Sequence, residues 1–238
     1  MSKTAVVIGV GPGLGMSIAH RFGRAGHDVA LISRTDTRHP DYVAALADAG
    51  VRAETFTADV RDRAALHAAL DAATERLGPA DVLYYGPGAA DSGVPLVPVT
   101  ELDSTAARAA AEWAYPAIDA VGHALPAMLE RGSGTLLFAG GLSAVVPMPA
   151  IGAFTLSAAA LRNYVITLHA ALFDSGVHAG ILTIGGLIER SDIHRAVLAD
   201  PERFGGTPPT IDPDELAEAA WRLHVERDRP EEVFNAFA

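Results

Sequence analysis

Cysteine is absent from the 238 residues, which excludes a disulfide framework and thiolate chemistry. Lysine is nearly absent: Lys3 stands alone beside 17 arginines. Any chemistry that needs a lysine beyond the first few residues is therefore excluded. An excess of basic charge is lacking too. The net charge of −11 argues against nucleic acid or an anionic membrane as a partner. The nine histidines form no HExxH and no close pair of ligands, so no metal site is expected. The apolar run Ala5 to Val10 is too short for a signal peptide or a membrane span, which predicts a cytoplasmic protein. Gly141-Leu142-Ser143-Ala144-Val145 begins like the nucleophile elbow of a hydrolase but lacks its last glycine.

What is present is an alternation. Short, continuously apolar strand patterns such as Ala5–Gly9, Asp28–Ser33, Asp81–Tyr85, Thr135–Ala139 and Val177–Ile184 alternate with helical ones. Strands that are apolar on both faces need helices on both sides. The pattern predicts an α/β protein with a doubly wound parallel sheet, the Rossmann arrangement, over residues 1–238 as one domain. Residues 187–213 read as a mobile lid over a substrate, and the tail as a short edge strand.

Val6–Ile8 runs into Gly9-Val10-Gly11-Pro12-Gly13-Leu14-Gly15 and then a helix. Glycines between a first strand and a first helix let backbone amides approach a pyrophosphate at the positive helix end. Gly9, Gly11, Gly13, Leu14 and Gly15 are thus candidate cofactor contacts. At the end of the second strand, where NAD-preferring folds keep an acid, stand Ser33 and Arg34, with Arg38 near. A guanidinium suits a 2′-phosphate by charge and by its two-pronged geometry, which favours NADP(H) over NAD(H).

Several landmarks together resemble the short-chain dehydrogenase/reductase family. Gly9, Gly13 and Gly15 match its TGxxxGxG pattern, with Ile8 in place of threonine. Thr57-Ala58-Asp59-Val60 resembles its adenine-contacting motif. Tyr85-Gly86-Pro87-Gly88 falls where it has N-N-A-G. Leu125-Pro126-Ala127-Met128 resembles its L-P-x-M, and Ser157 to Arg162 its S-K-A-A-L-R. Gly185-Gly186 takes the place of P-G. The resemblance implies Asp59, Val60, Gly86, Gly88, Gly185 and Gly186 as further cofactor contacts. It also implies a homodimer or homotetramer, with the helix over 152–174 as a plausible interface.

The same register implies a departure. The family tyrosine falls on Phe154, its lysine on Ala158, its serine on Gly141 and its asparagine at or near Trp113. Phe154 and Ala158 lie four apart, on one helical face. That face is apolar and can neither deliver a proton nor hold an alkoxide, help worth about 10²–10⁴-fold. Ordinary ketone reduction is then unexpected. Hydride transfer to a C=N bond, which already carries its proton, or to an activated C=C bond, remains open. So does a catalytically silent cofactor-binding protein that acts as a sensor or subunit. Candidate replacement groups are Tyr85, Tyr115, Ser143, Glu189 and His194. Each has a structural alternative: packing for the tyrosines, a backbone cap for Ser143, an exposed lid with Ser191 as helix cap for the last two. The expected partner is a small molecule, cationic or apolar.

Overall fold

In the computed structural model, residues 2–88, 97–202 and 206–238 are described. Gly205, in the Gly/Pro-rich part of the expected lid, lies outside them. The chain folds as β1 (Lys3–Ile8), α1 (Leu14–Arg24), β2 (His27–Ser33), α2 (His39–Asp48), β3 (Ala53–Thr57), α3 (Arg63–Leu77) and β4 (Val82–Tyr85). It continues as α4 (Ser104–Ala111), α5 (Tyr115–Arg131), β5 (Gly134–Gly141), α6 (Gly152–Ala171) and β6 (Val177–Gly185). The last part is β7 (Leu187–Ile188), α7 (Asp192–Ala199), β8 (Thr210–Ile211), α8 (Pro213–Glu226) and β9 (Glu231–Asn235).

Seven strands form one parallel sheet in the order β3-β2-β1-β4-β5-β6-β9. The Rossmann expectation holds. The covering of both faces by helices follows from strand composition: β1, β2, β4 and β5 are largely apolar on successive residues and bury both faces. One core lies between the sheet and α3, α5 and α6, built on Leu66, Leu70, Val121, Met128, Leu161 and Val165. The other lies beneath α1, α2 and α8, built on Ile18, Phe22, Leu46, Leu216 and Leu223.

The chain reverses direction across the sheet at β1, which pairs with β2 on one side and β4 on the other. Parallel sheets open a crevice there, beyond the strands' carboxyl ends. Between β4 and β5 the chain forms two α-helices, α4 and α5. Pro116 sits in the first turn of α5, where its missing N–H costs nothing. The alternative of a lid with a helix start holds: the segment after Glu189 contains the short helix α7. Its cap is Ser191, whose Oγ accepts from the His194 N–H at 3.1 Å. The expected edge strand in the tail is β9, parallel to β6.

The stretch Pro149–Ala171 is long and apolar enough, by length and composition, to cross a membrane. In the fold it is the crossover between β5 and β6. It is tied to the sheet edge by Arg162, whose guanidinium donates two hydrogen bonds to Glu231, at 2.7 and 2.6 Å. Glu231 also accepts from Thr183 Oγ1 at 2.5 Å. A carboxylate held by two donors from β6 and α6 fixes the edge strand against the helix. Arg162 is thereby a structural residue, not a stand-in for the missing lysine.

The opposite, amino-terminal edge of the sheet carries a group of histidines. His27 and His178 are buried, and His224 Nδ1 lies 2.9 Å from Thr135 Oγ1. The His169 and His178 rings meet edge-on at 5.2 Å, and His27 and His224 at 5.9 Å. Burial, with neighbouring histidines and Arg227 adding, depresses His178 and His224 to about 4. The unfolded chain therefore binds more protons than the folded one between the ordinary histidine value and about 4. Stability is full above that window and falls as pH drops through it. Thermal melts from neutral to acid pH should show this fall, at roughly 2–4 °C per kcal/mol lost. His178→Leu should flatten the slope; identical slopes in wild type and variant would show that the histidine cluster does not set it.

Candidate functional site

The crevice at the carboxyl ends of β1, β2 and β4 has a volume of about 590 Å³. Its floor is the loop from Gly9 to Gly15. The Gly9 and Val10 N–H groups both donate to the Ile32 carbonyl, at 2.9 and 3.1 Å, so the loop hangs from β2. Gly9 has φ +85°, and a Cβ there would lie 2.5 Å from Pro87 N. At Gly15 a Cβ would lie 2.8 Å from the Val10 Cα. Only glycine lets the strand turn this tightly beneath the chain that leaves β4. A Cβ on Gly11 or Gly88 would meet nothing within 4 Å. Gly13 caps α1 without a side-chain hydrogen bond, and the first turn of that helix holds no acid. The loop is open at Gly11, while Glu189 and Ser191 lie close over Gly13, and the backbone amides at this positive helix end fit a pyrophosphate.

Of the candidate cofactor residues, Gly9, Gly11, Gly13, Leu14, Gly15, Ser33, Arg34, Asp59, Val60, Gly86, Gly88 and Gly186 line this crevice. Gly185 does not: it ends β6, and a Cβ on it would overlap the Leu142 side chain. Close packing against Leu142, not ligand approach, is the demand for glycine there.

The wall at the end of β2 is polar. Ser33 Oγ donates to the Thr35 carbonyl at 2.9 Å and lies 2.7 Å from His39 Nε2. A hydroxyl has one proton, so the imidazole is the donor in the second bond. Burial lowers the His39 pKa, consistent with a neutral ring. Asp59 accepts from the Arg61 guanidinium at 3.0 and 2.7 Å and from the Arg61 N–H at 3.0 Å. These bonds hold its carboxyl down at about 2. The Arg61 guanidinium also lies 5.8 Å from the Trp113 ring, which lines the crevice. Arg38, Tyr42, Asp192 and Ile193 complete the wall. The sequence named Arg38 as near. Asp192 belongs to the polar stretch of the lid, and which residue of that stretch faces the crevice depends on how the lid folds back.

The family's catalytic positions do come together. A Cβ on Gly141, the last residue of β5, would lie 3.8 Å from the Ala158 Cβ of α6. Phe154 is half-buried one turn earlier on the same helix. The family's serine, tyrosine and lysine side chains are all missing from these three positions. Ser143, in the short turn Leu142–Ala144, is the nearest candidate replacement. Its Oγ is 3.6 Å from where a Gly141 Cβ would be, and the residue is 5% exposed.

The other candidates lie elsewhere. Tyr85 is 3% exposed and packs against Phe138, with its hydroxyl buried and unpartnered among the described residues. Burial, helped by the charge of Asp119, pushes its pKa well above the ordinary phenol range. Tyr115 opens α5 and is 57% exposed. Glu189 accepts from Thr210 Oγ1 at 2.7 Å, and His194 Nδ1 accepts from the Arg190 N–H at 3.2 Å. Neither Glu189 nor His194 lines the crevice; both brace the lid.

This architecture has named counterparts. Residues 3–200 match the short chain dehydrogenase family, and the chain belongs to that family. It is 31% identical to the Short chain dehydrogenase MYCFIDRAFT_6125 of Pseudocercospora fijiensis, over 78% of this chain and 60% of that one. It is also 31% identical to the Inactive 2-(S)-hydroxypropyl-CoM dehydrogenase 2 of Xanthobacter autotrophicus, over 83% of this chain and 86% of the relative. Among solved structures it resembles the short chain oxidoreductase of Pseudomonas aeruginosa PAO1 containing an atypical catalytic center. The apo form superposes with a TM-score of 0.84 at 22% identity, over 99% of this chain and 96% of that one.

The phosphate loop yields a direct test. Gly9→Ala should destabilise the fold by at least about 2 kcal/mol in denaturant unfolding, because of its positive φ and the Pro87 overlap. Gly11→Ala, which meets only open space, should leave stability unchanged. Equal stability of the two variants would count against the close-approach account of the loop.

Proposed function

We propose that the chain binds NADP(H) in this crevice and is a reductase whose site departs from its family's. The observation that carries this reading is the contrast between two halves of one site. The glycine cradle and the positive end of α1 are intact. The proton-handling corner at Gly141, Phe154 and Ala158 is apolar. When bound, NADPH supplies a hydride. Gly11, Gly13 and the first amides of α1 would hold its pyrophosphate; Arg34 and Arg38 would take its 2′-phosphate; Asp59 and Val60 would flank the adenine. The NADPH-bound structure of the Pseudomonas protein, TM-score 0.82 at 22% identity, supports that choice of cofactor by likeness of fold.

An apolar corner selects substrates that need no proton from it. A C=N bond that already carries its proton, or an activated C=C bond, meets that condition, and a simple ketone does not. Phe154 and Ala158 would pack against the substrate. Ser143 is the one candidate hydroxyl within reach of the corner and would orient a polar substrate atom. We assign Tyr115, Glu189 and His194 no part in proton transfer, and Tyr85 a packing role. The substrate is a small molecule, and the setting is cytoplasmic.

A second reading is a silent NADP-binding protein. The bracing roles of Glu189 and His194 favour it, since they leave the described crevice without a free acid. Incubation with NADPH and a panel of cyclic imines, enones and ketones separates the two. Oxidation of NADPH by imines or enones, with ketones inert, is expected. Tight NADPH binding with no turnover on any of them would decide for the silent protein.

The corner can also be rebuilt. Gly141→Ser, Phe154→Tyr and Ala158→Lys together should raise ketone reduction by about 10² or more. No gain, with NADPH binding retained, would show that more than the missing proton path keeps ketones out.

We also propose self-association through α5 and α6. Ile118 and Leu129 on α5 and Leu156 on α6 are exposed, and Phe173 beyond α6 is 81% exposed. A surface this apolar is the usual mark of an interface. Light scattering should find a dimer or tetramer, and Leu156→Glu should shift it toward monomer. A wild-type monomer at micromolar concentration would reject this.

A further inference from the structure

Across the mouth of the crevice runs one ion pair that joins its two walls. Arg38, on the loop between β2 and α2, donates from one terminal nitrogen to Asp192 Oδ2 at 2.7 Å and from the other to Oδ1 at 2.9 Å. Asp192 is the first residue of α7, in the segment that folds back over the phosphate loop. That segment lies close: a Cβ on Gly13 would be 3.1 Å from both the Glu189 carbonyl oxygen and the Ser191 Cβ. Asp192 and Arg38 both line the crevice, and both are about half exposed.

Arg38 stands directly before α2, on the loop that leaves the end of β2, where dinucleotide-binding folds keep the group that meets the adenosine ribose. A 2′-phosphate would require the same fork of N–H donors that Asp192 now occupies. It would also bring a charge of roughly −1.5 to −2 close to a carboxylate. Asp192 has a second partner, Arg195, one turn along α7. If Arg38 turns to a phosphate, the Asp192 charge stays paired.

We propose that Asp192 is a specificity-determining residue: a carboxylate on the lid that competes with the 2′-phosphate of NADP(H) for Arg38 and so lowers the preference for NADP(H) over NAD(H). This rests on the cofactor reading above. An exposed pair of this kind is weak, so Asp192 trims affinity without abolishing it. Its grip on Arg38 is electrostatic and half-exposed, and weakens with salt.

The test is a set of titrations with NADPH and with NADH, by calorimetry at low and high salt. The proteins are the full chain, Asp192→Asn, Arg38→Ala and the double variant. At low salt Asp192→Asn should tighten NADPH about fivefold and leave NADH unchanged, with a smaller gain at high salt. In the Arg38→Ala background the Asp192→Asn change should have no effect on NADPH. An unchanged NADPH affinity in Asp192→Asn overturns the proposal while leaving the cofactor reading intact. So does an equal shift for both dinucleotides, or a full effect without Arg38. If the unmodified protein binds NADH but not NADPH, the cofactor reading itself fails, and the proposal with it.

Discussion

The close passage of Gly9 beneath Pro87 is the constraint on which the site depends. β1 lies in the middle of the sheet, with β2 on one side and β4 on the other. The chain leaving β1 must turn at once into α1, and the chain leaving β4 must cross above that turn. A residue with a side chain at Gly9 would force the two apart. The crevice, the cradle and the position of the α1 terminus all follow from that contact. They follow because parallel strands can only open a crevice where neighbouring crossovers diverge.

The site has two halves with opposite demands. The cofactor half is built from backbone amides and from charges already paired within the protein: Asp59 with Arg61, and Arg38 with Asp192. These pairings tie the residues of the wall to one another. The reaction half is held together by packing. Gly141 and Ala158 meet where β5 and α6 converge, with Phe154 one turn earlier on α6, and Ser143 is the candidate replacement group that lies beside them. A corner of this kind can position a substrate but gives it no proton, which leaves the substrate to supply its own or to take one from solvent.

Much of the fold was legible in the residues. The strands are apolar runs of about the right length, and the helices between them carry clear starts, such as Asp62 capping α3 through the Ala64 and Ala65 N–H groups. The glycine loop was legible because it depends on backbone geometry, which glycine spacing records directly. The lid was less so. Glu189, Arg190, Asp192 and His194 form a rich polar stretch, yet a polar residue carries no mark of whether it faces a ligand or a neighbour. Glu189 went to Thr210, His194 to the backbone of Arg190, and Asp192 to Arg38 across the crevice. Tyr85 ends an apolar strand, and alternation along the strand turned it into the core against Phe138.

The sequence by itself determined the parallel sheet, the phosphate cradle and the loss of a proton-handling tyrosine and lysine, because each is a matter of which residue types occur at which spacing along the chain. Only the tertiary structure decided which polar groups meet. Arg38 and Asp192 are 154 residues apart, and Arg162 and Glu231 are 69 apart. Such pairs form where separate crossovers return to the same end or edge of the sheet. That return is set by the packing of whole helices on the sheet, and local patterns of residues do not record it.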